Sequence, residues 1–195
     1  GSGHRMYNFT ETCGDSHPLI CLGTDLDAPL PKIPIEGRLA FASKASFRAD
    51  QGLAAADEIC RAEALAAGLE GEFVAMLATS AEPAIARVDL SGKTWVRPDG
   101  VALWARAADA GVSRGMLAPI LLDAGGRLAG NQYALLGARN FTSEATTEAC
   151  EDWSAAPSDE SAAFVMLKEI GPGGSLVSGS VSCSYEYAPV ACFQK

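Results

Sequence analysis

The scarcity of histidine limits the chemistry open to this chain. Only His4 and His17 occur, both near the start. Gly111-Val112-Ser113-Arg114-Gly115 has the G-x-S-x-G spacing of a hydrolase nucleophile elbow. That elbow needs a histidine base later in the chain to take the proton from the serine. None follows Ser113, so the match reads as a surface loop. The same absence removes Cys–His nucleophile pairs and histidine-based metal centres. Carboxylates are the remaining acid–base groups, clustered at Glu148, Glu151 and Asp152 and again at Asp159 and Glu160. A glycosidase-like pair could be drawn from them, but such runs are more commonly solvated faces. Asp25-Leu26-Asp27 is too short for a calcium loop. The chain carries neither a P-loop nor a dinucleotide fingerprint. The expectation is a protein that is not an enzyme and holds no cofactor.

Six cysteines, with no CxxC pair among them, point to disulfides and an oxidising compartment rather than to a metal site. Cys13 and Cys21 bracket GDSHPLI, and a short Cys13–Cys21 disulfide loop is the economical reading. The alternative is zinc held by Cys13, His17 and Cys21, for which no fourth ligand is evident. The other four, Cys60, Cys150, Cys183 and Cys192, could pair in several ways. A net charge of −9 and a pI of 4.7 argue against nucleic acid, heparin or an anionic membrane as partner. No run of about 18 apolar residues is present to insert into a membrane. Asn8-Phe9-Thr10 and Asn140-Phe141-Thr142 are glycosylation sequons. They would matter only in a eukaryotic secretory route, and the alanine-rich composition suggests a bacterial source.

The elements that position these residues centre on 52–80, read as one helix followed directly by one strand. Leu53 to Ala67 is rich in Ala, Leu, Glu and Arg, all strong helix formers. Leu53, Ala56, Cys60, Ala64 and Ala67 fall on one narrow, small-residue face. Asp50 is the expected N-cap, and Gly68 the left-handed residue that ends the helix. From Phe73 to Ala78 the period changes to that of a buried strand. Residues 1–6, GSGHRM, resemble a cloning remnant, and 7–36 form a polar, proline-rich extended segment or linker ending in PLPKIPI. A compact domain follows over 37–195. Further short strands are expected at 38–43, 85–89, 94–96, 102–105, 117–122, 133–136, 163–167 and 189–193, with a second helix over 146–153. One or two helices with many irregular strands make an α+β domain.

Three segments carry a family resemblance. Ala56 to Ser80, ADEICRAEALAAGLEGEFVAMLATS, resembles the AD-x-x-C-x-x-x-A-x-x-x-G-L-x-G-x-F-x-A-x-L-S segment of endostatin, the C-terminal domain of collagens XV and XVIII. Cys150-Glu151-Asp152-Trp153 resembles the family's Cys-x-x-Trp, and Cys183 to Cys192 its terminal Cys-x8-Cys. Trp95, Leu135 and Gly137 fall where related bacterial domains carry tryptophan and VWTG. The resemblance covers about 38–195. It implies a C-type-lectin-like fold of mixed twisted sheets with one main helix and long loops. It also implies nested disulfides, Cys60–Cys192 and Cys150–Cys183.

The departures restrict what else transfers. The family's zinc histidines and arginine-rich heparin face have no counterpart, since 37–195 carries 13 Lys and Arg against 19 Asp and Glu, a net of −6. The family's Asp-Pro-Asn-Gly-like loop is replaced by Ala138-Arg139-Asn140-Phe141, and Glu82-Pro83 is followed by Ala84 rather than a sugar-binding asparagine. The resemblance then implies a non-enzymatic, extracellular binding or adhesion module. It would belong to a bacterial surface or secreted protein, as in surface lipoproteins and fibre tips, and recognise a glycan or protein ligand. The alternative is a structural or accessory domain of a larger secreted protein. C-type-lectin-like folds commonly bind through their long-loop region, here about 105–139. Arg106, Arg114, Arg127 and Arg139 lie along it and are the expected ligand-binding residues, with Arg114, Arg127 and Arg139 approaching one another on one face to meet an acidic or glycan partner; the alternative is that these arginines balance the local acids.

Overall fold

The computed structural model describes residues 36–112, 115–130, 133–145, 147–171, 176–185 and 188–195. The expected cloning remnant at 1–6, the expected Cys13–Cys21 loop with His17, Asp25 and Asp27, the expected PLPKIPI linker, Ser113, Arg114 and Thr146 lie outside the described residues.

The first strand, β1 (Arg38–Ala42), alternates large and small side chains and ends fully buried at Ala40, Phe41 and Ala42. The helix α1 (Gly52–Ala66) follows. Its buried face is Ala56, Cys60 and Ala64; Leu53 is half-buried, and Ala67, just past the end, is exposed. Small side chains let the backbone approach what it covers, which is β2 (Phe73–Ala75). The C-terminus closes as expected at Gly68, with φ +71°. The Leu69 N–H donates to Ala64 O at 2.9 Å and the Gly68 N–H to Leu65 O at 3.0 Å, which satisfies two orphan carbonyls. The N-terminus differs from expectation. Asp50 does not cap α1, because a 3-10 turn over Ala49–Gln51 intervenes. The Asp50 carboxylate pairs instead with Arg48 at 2.8 Å.

Further strands are β3 (Trp95–Val96), β4 (Tyr133–Leu135), β5 (Ser161–Ile170), β6 (Leu176–Ser182) and β7 (Ala191–Gln194). A four-stranded sheet has the order β2-β7-β1-β3, with β1 and β3 parallel and the other neighbours antiparallel. An antiparallel sheet has the order β4-β5-β6. The two meet where the Leu135 N–H donates to Pro189 O at 2.9 Å and the Ala78 N–H to Leu136 O at 2.7 Å. On the four-stranded sheet, Trp95 and Phe193 join Trp104 and Phe141 in a buried aromatic core, with ring centroids 5.6–6.3 Å apart. The domain is α+β, with one main helix on mixed sheets.

Several local expectations are corrected. Residues 85–89 are not a strand; Ala84–Arg87 is a 3-10 turn that brings Arg87 back to α1. Of 102–105 and 117–122, only Ala102 and Leu122 form bridges, to Val96 and Leu128. β6, LVSGSVS, lacks the apolar alternation that would have announced it, because both its faces are half-exposed. The second helix shrinks to one turn, Cys150–Trp153, in which all four residues have positive φ, from +51° to +68°. It is wound left-handed, a conformation unfavourable for L-residues.

That turn is held from several sides. Cys150 is bonded to Cys183, and Cys60 to Cys192, the two pairs that the resemblance implies. The indole N–H of the buried Trp153 donates to Ala78 O at 2.8 Å. Asp152 accepts from the Ser80 N–H at 2.7 Å and from its hydroxyl at 2.6 Å. Gly137, with φ +78°, leaves room for the indole: a Cβ there would lie 2.6 Å from Trp153 Cζ2 and 2.9 Å from Ala78 O.

Candidate functional site

The expected arginines are placed one by one. Arg106 is exposed at the start of a 3-10 turn over Ala107–Gly111 and pairs with Asp109 at 2.6 Å. That pairing raises the guanidinium's pKa and lowers the carboxyl's. Arg139 pairs with Glu148 at 2.8 Å, beside the left-handed turn. Arg127 stands in a third place, on the loop 123–127, and no carboxylate meets its guanidinium among the described residues. Two of the three balance local acids, and one is left over.

The expected carboxylate cluster is likewise engaged locally. Glu148 holds Arg139, and Asp152 holds Ser80. Wherever a carboxyl shift is resolved among the described residues, it is downward, as at Glu36, Asp89 and Asp99, where a side-chain hydrogen bond is the largest cause. A general acid working near neutral pH needs the opposite shift. No three His, Cys, Asp or Glu side chains converge as a metal site among the described residues.

Three clefts differ in how their charges are used. The largest, about 790 Å³, lies between α1, the edge strand β2 and the Ala84–Arg87 turn. Its cations are all taken: Arg61 by Glu58, Arg87 by Asp57 and Lys195 by Glu72. The Asp57–Arg87 pair also covers the sheet edge, since Asp57 accepts from the Ala75 N–H at 2.9 Å and Arg87 donates to Ala75 O at 2.7 Å. An open edge would invite another strand, and here it is closed at Ala75. A second cleft, about 310 Å³, opens on the left-handed turn and presents Glu151, Asp152 and Glu160 with no cation.

The third, about 600 Å³, lies between the end of α1 and the loop 123–127. Its two cations are Lys44 and Arg127, over a floor of alanine and glycine. Both neighbouring acids are committed to backbone. Glu63 accepts from the N–H groups of Lys44 and Ala45 at 2.7–2.9 Å. Asp123, 2% exposed, accepts from Gly125 and Arg127 N–H at 2.8 and 3.0 Å and from Lys44 Nζ at 3.1 Å. Sequence reasoning missed Lys44 and Asp123. The DAGGR run at 123–127 reads as a turn signal, but nothing in it announces a lysine from the end of β1.

No protein-family model matches the chain, and no curated protein matches it. Among the described residues no helix is long and apolar enough to cross a membrane. Two disulfides fit an oxidising compartment.

Proposed function

We propose that this chain is a non-enzymatic recognition module of endostatin-like, C-type-lectin-like fold. It is displayed by a bacterial surface or secreted protein, where it binds an extracellular protein or glycan through loops on a cross-linked scaffold. The observation that carries the reading is the nested pairing Cys60–Cys192 and Cys150–Cys183 on an α+β body. Four cysteines allow three pairings, and this one is what the family resemblance implies. The disulfide from α1 to β7 joins the central helix to the central sheet. Such a body can carry irregular loops without losing its shape, and recognition commonly resides on loops held that way. The downward carboxyl shifts and the histidine-free domain agree with a binding role. The expected ligand face is the 105–139 region with Arg106, Arg114, Arg127 and Arg139.

The test is to probe glycan and extracellular-protein arrays with the labelled domain, then repeat with these four arginines replaced by alanine. Saturable hits that the quadruple variant loses are expected. Covalent labelling of Ser113 by a fluorophosphonate, lost in Ser113→Ala, would instead make the protein a hydrolase.

A further inference from the structure

We infer that the cleft between the end of α1 and the loop 123–127 is a carboxylate-binding site, occupied by an acidic peptide segment of a partner protein. The inference rests on the recognition-module reading and names its site and partner chemistry. Among the described arginines, Arg127 alone has neither an acid nor a ring nor a carbonyl against its guanidinium. Arg48, Arg61, Arg87, Arg97, Arg106 and Arg139 are ion-paired. Arg38 stacks on Trp95 at 3.8 Å and donates to Lys93 O at 2.9 Å. Arg127 is the guanidinium left unspent, and it opens into a cleft. The planar fork can take a carboxylate bidentately.

Lys44 lies beside Arg127, paired with Asp123 at 3.1 Å. Its side chain is 60% exposed although it touches Asp123, so its remaining donors face the cleft and solvent. The two acids nearby keep their charges, but each is tied to N–H groups it cannot release without undoing a loop, so neither turns to the Arg127 guanidinium. Glu63 ties the segment after β1 to α1, and Asp123 closes its own turn. The loop therefore holds Arg127 by its backbone and leaves the side chain unengaged.

The floor selects the kind of ligand. Ala45, Ala66, Ala67, Ala124 and Gly125 offer methyl groups and backbone, with no aromatic ring and no amide or hydroxyl side chain. A saccharide would need rings to stack on and side-chain partners for its hydroxyls. An extended peptide satisfies much of its own polarity with water and needs only a smooth floor and a charge for its acidic side chain. In a protein of net charge −9, the unpaired Arg127 guanidinium also sets the register of an acidic segment.

The test is an NMR titration of the ¹⁵N-labelled protein, reading the Arg127 side-chain Nε–H and the backbone amides of Gly125 and Ala67. The probes are a short alternating Ala–Glu peptide, the matching Ala–Gln peptide and an oligogalacturonate. Saturable shifts at these positions with the Glu peptide alone are expected. Arg127→Ala should weaken that binding at least about tenfold, while Arg61→Ala, in the charge-paired cleft, leaves it unchanged. Binding that survives Arg127→Ala, shifts that fall elsewhere, or no binding at all overturns the site. Tighter binding of the galacturonate at the same resonances makes it a glycan site and overturns the peptide. Array partners that keep full affinity for Arg127→Ala remove this cleft but leave the recognition module standing. Empty arrays with the peptide bound at the cleft remove the module reading and leave the site.

Discussion

At the scale of single residues, the informative side chain is Asp123. Burial acts to raise its pKa, but the N–H groups of Arg127 and Gly125 together with Lys44 outweigh that and hold the carboxyl below its ordinary value. A group whose pKa is lower folded than unfolded binds a proton more readily when unfolded. Its stabilisation is therefore complete above the unfolded value of about 3.9 and is lost as pH falls through the lower folded value. Asp123→Ala removes the acceptor for two N–H groups and is expected to cost about 1–3 kcal/mol at neutral pH. In urea denaturation across a pH series, the gap between wild type and variant should narrow below about pH 4. A gap that stays constant would mean that the charge on Asp123 does not hold this turn. The side chain of the neighbouring Arg127 is exposed and meets no partner among the described residues, so its replacement should barely change stability. That separation lets binding at the cleft be tested without unfolding it.

At the scale of elements, α1 and the Cys150–Trp153 turn make opposite demands on side-chain size and backbone hand. Ala64 is 2% exposed and faces the sheet with Ala56 and Cys60. Ala64→Leu must force methylenes into that contact, and a loss of about 1–3 kcal/mol is expected. An unchanged melting temperature would show that this face does not pack as described. In the left-handed turn, Glu151 sits at φ +52°, ψ +50° with an exposed side chain. Each L-residue there carries about 1–2 kcal/mol of steric cost that glycine does not. Against this, glycine gains about 0.5–1 kcal/mol of freedom in the unfolded chain. Glu151→Gly is therefore expected to raise stability slightly, whereas in a right-handed helix the same change would lower it. Calorimetry on the single variant reads the sign directly.

At the scale of the whole molecule, the two disulfides divide the chain into loops of very different length. Cys60 and Cys192 are 132 residues apart, and Cys150 and Cys183 are 33 apart within that span. In the chain-entropy account the outer link contributes about 5 kcal/mol and the inner about 4 kcal/mol. The inner one also pins the left-handed turn and, through Trp153, the carbonyl of Ala78. Replacing Cys150 and Cys183 with alanine should therefore lower the melting temperature and also perturb the near-ultraviolet signal of Trp153 at temperatures where the chain is still folded. If only the melting temperature moves, the turn stands without its cross-link.

The sequence by itself determined the local: the 3.6-residue period of α1, its end at Gly68, the buried run after Phe73 and the α+β class. Each depends on side chains within a few residues of one another, so periodicity records them. The resemblance in 56–80 and at the four cysteines supplied the disulfide pairing that spacing left open. What the sequence could not decide was set by distant partners. The strand expected at 85–89 became a turn because Arg87 reaches Asp57 and the edge of β2. The helix expected at 146–153 became a left-handed turn, held by Cys183 and by Ala78 and Ser80 from two other segments. β6 went unseen because half-exposed faces impose no alternation. The four arginines looked equivalent along the chain, and only folding gave Asp109 to Arg106 and Glu148 to Arg139 while leaving Arg127 beside Lys44. Whether a charge is spent or free depends on which acid the tertiary fold places against it, and that is not written in the spacing of the charges.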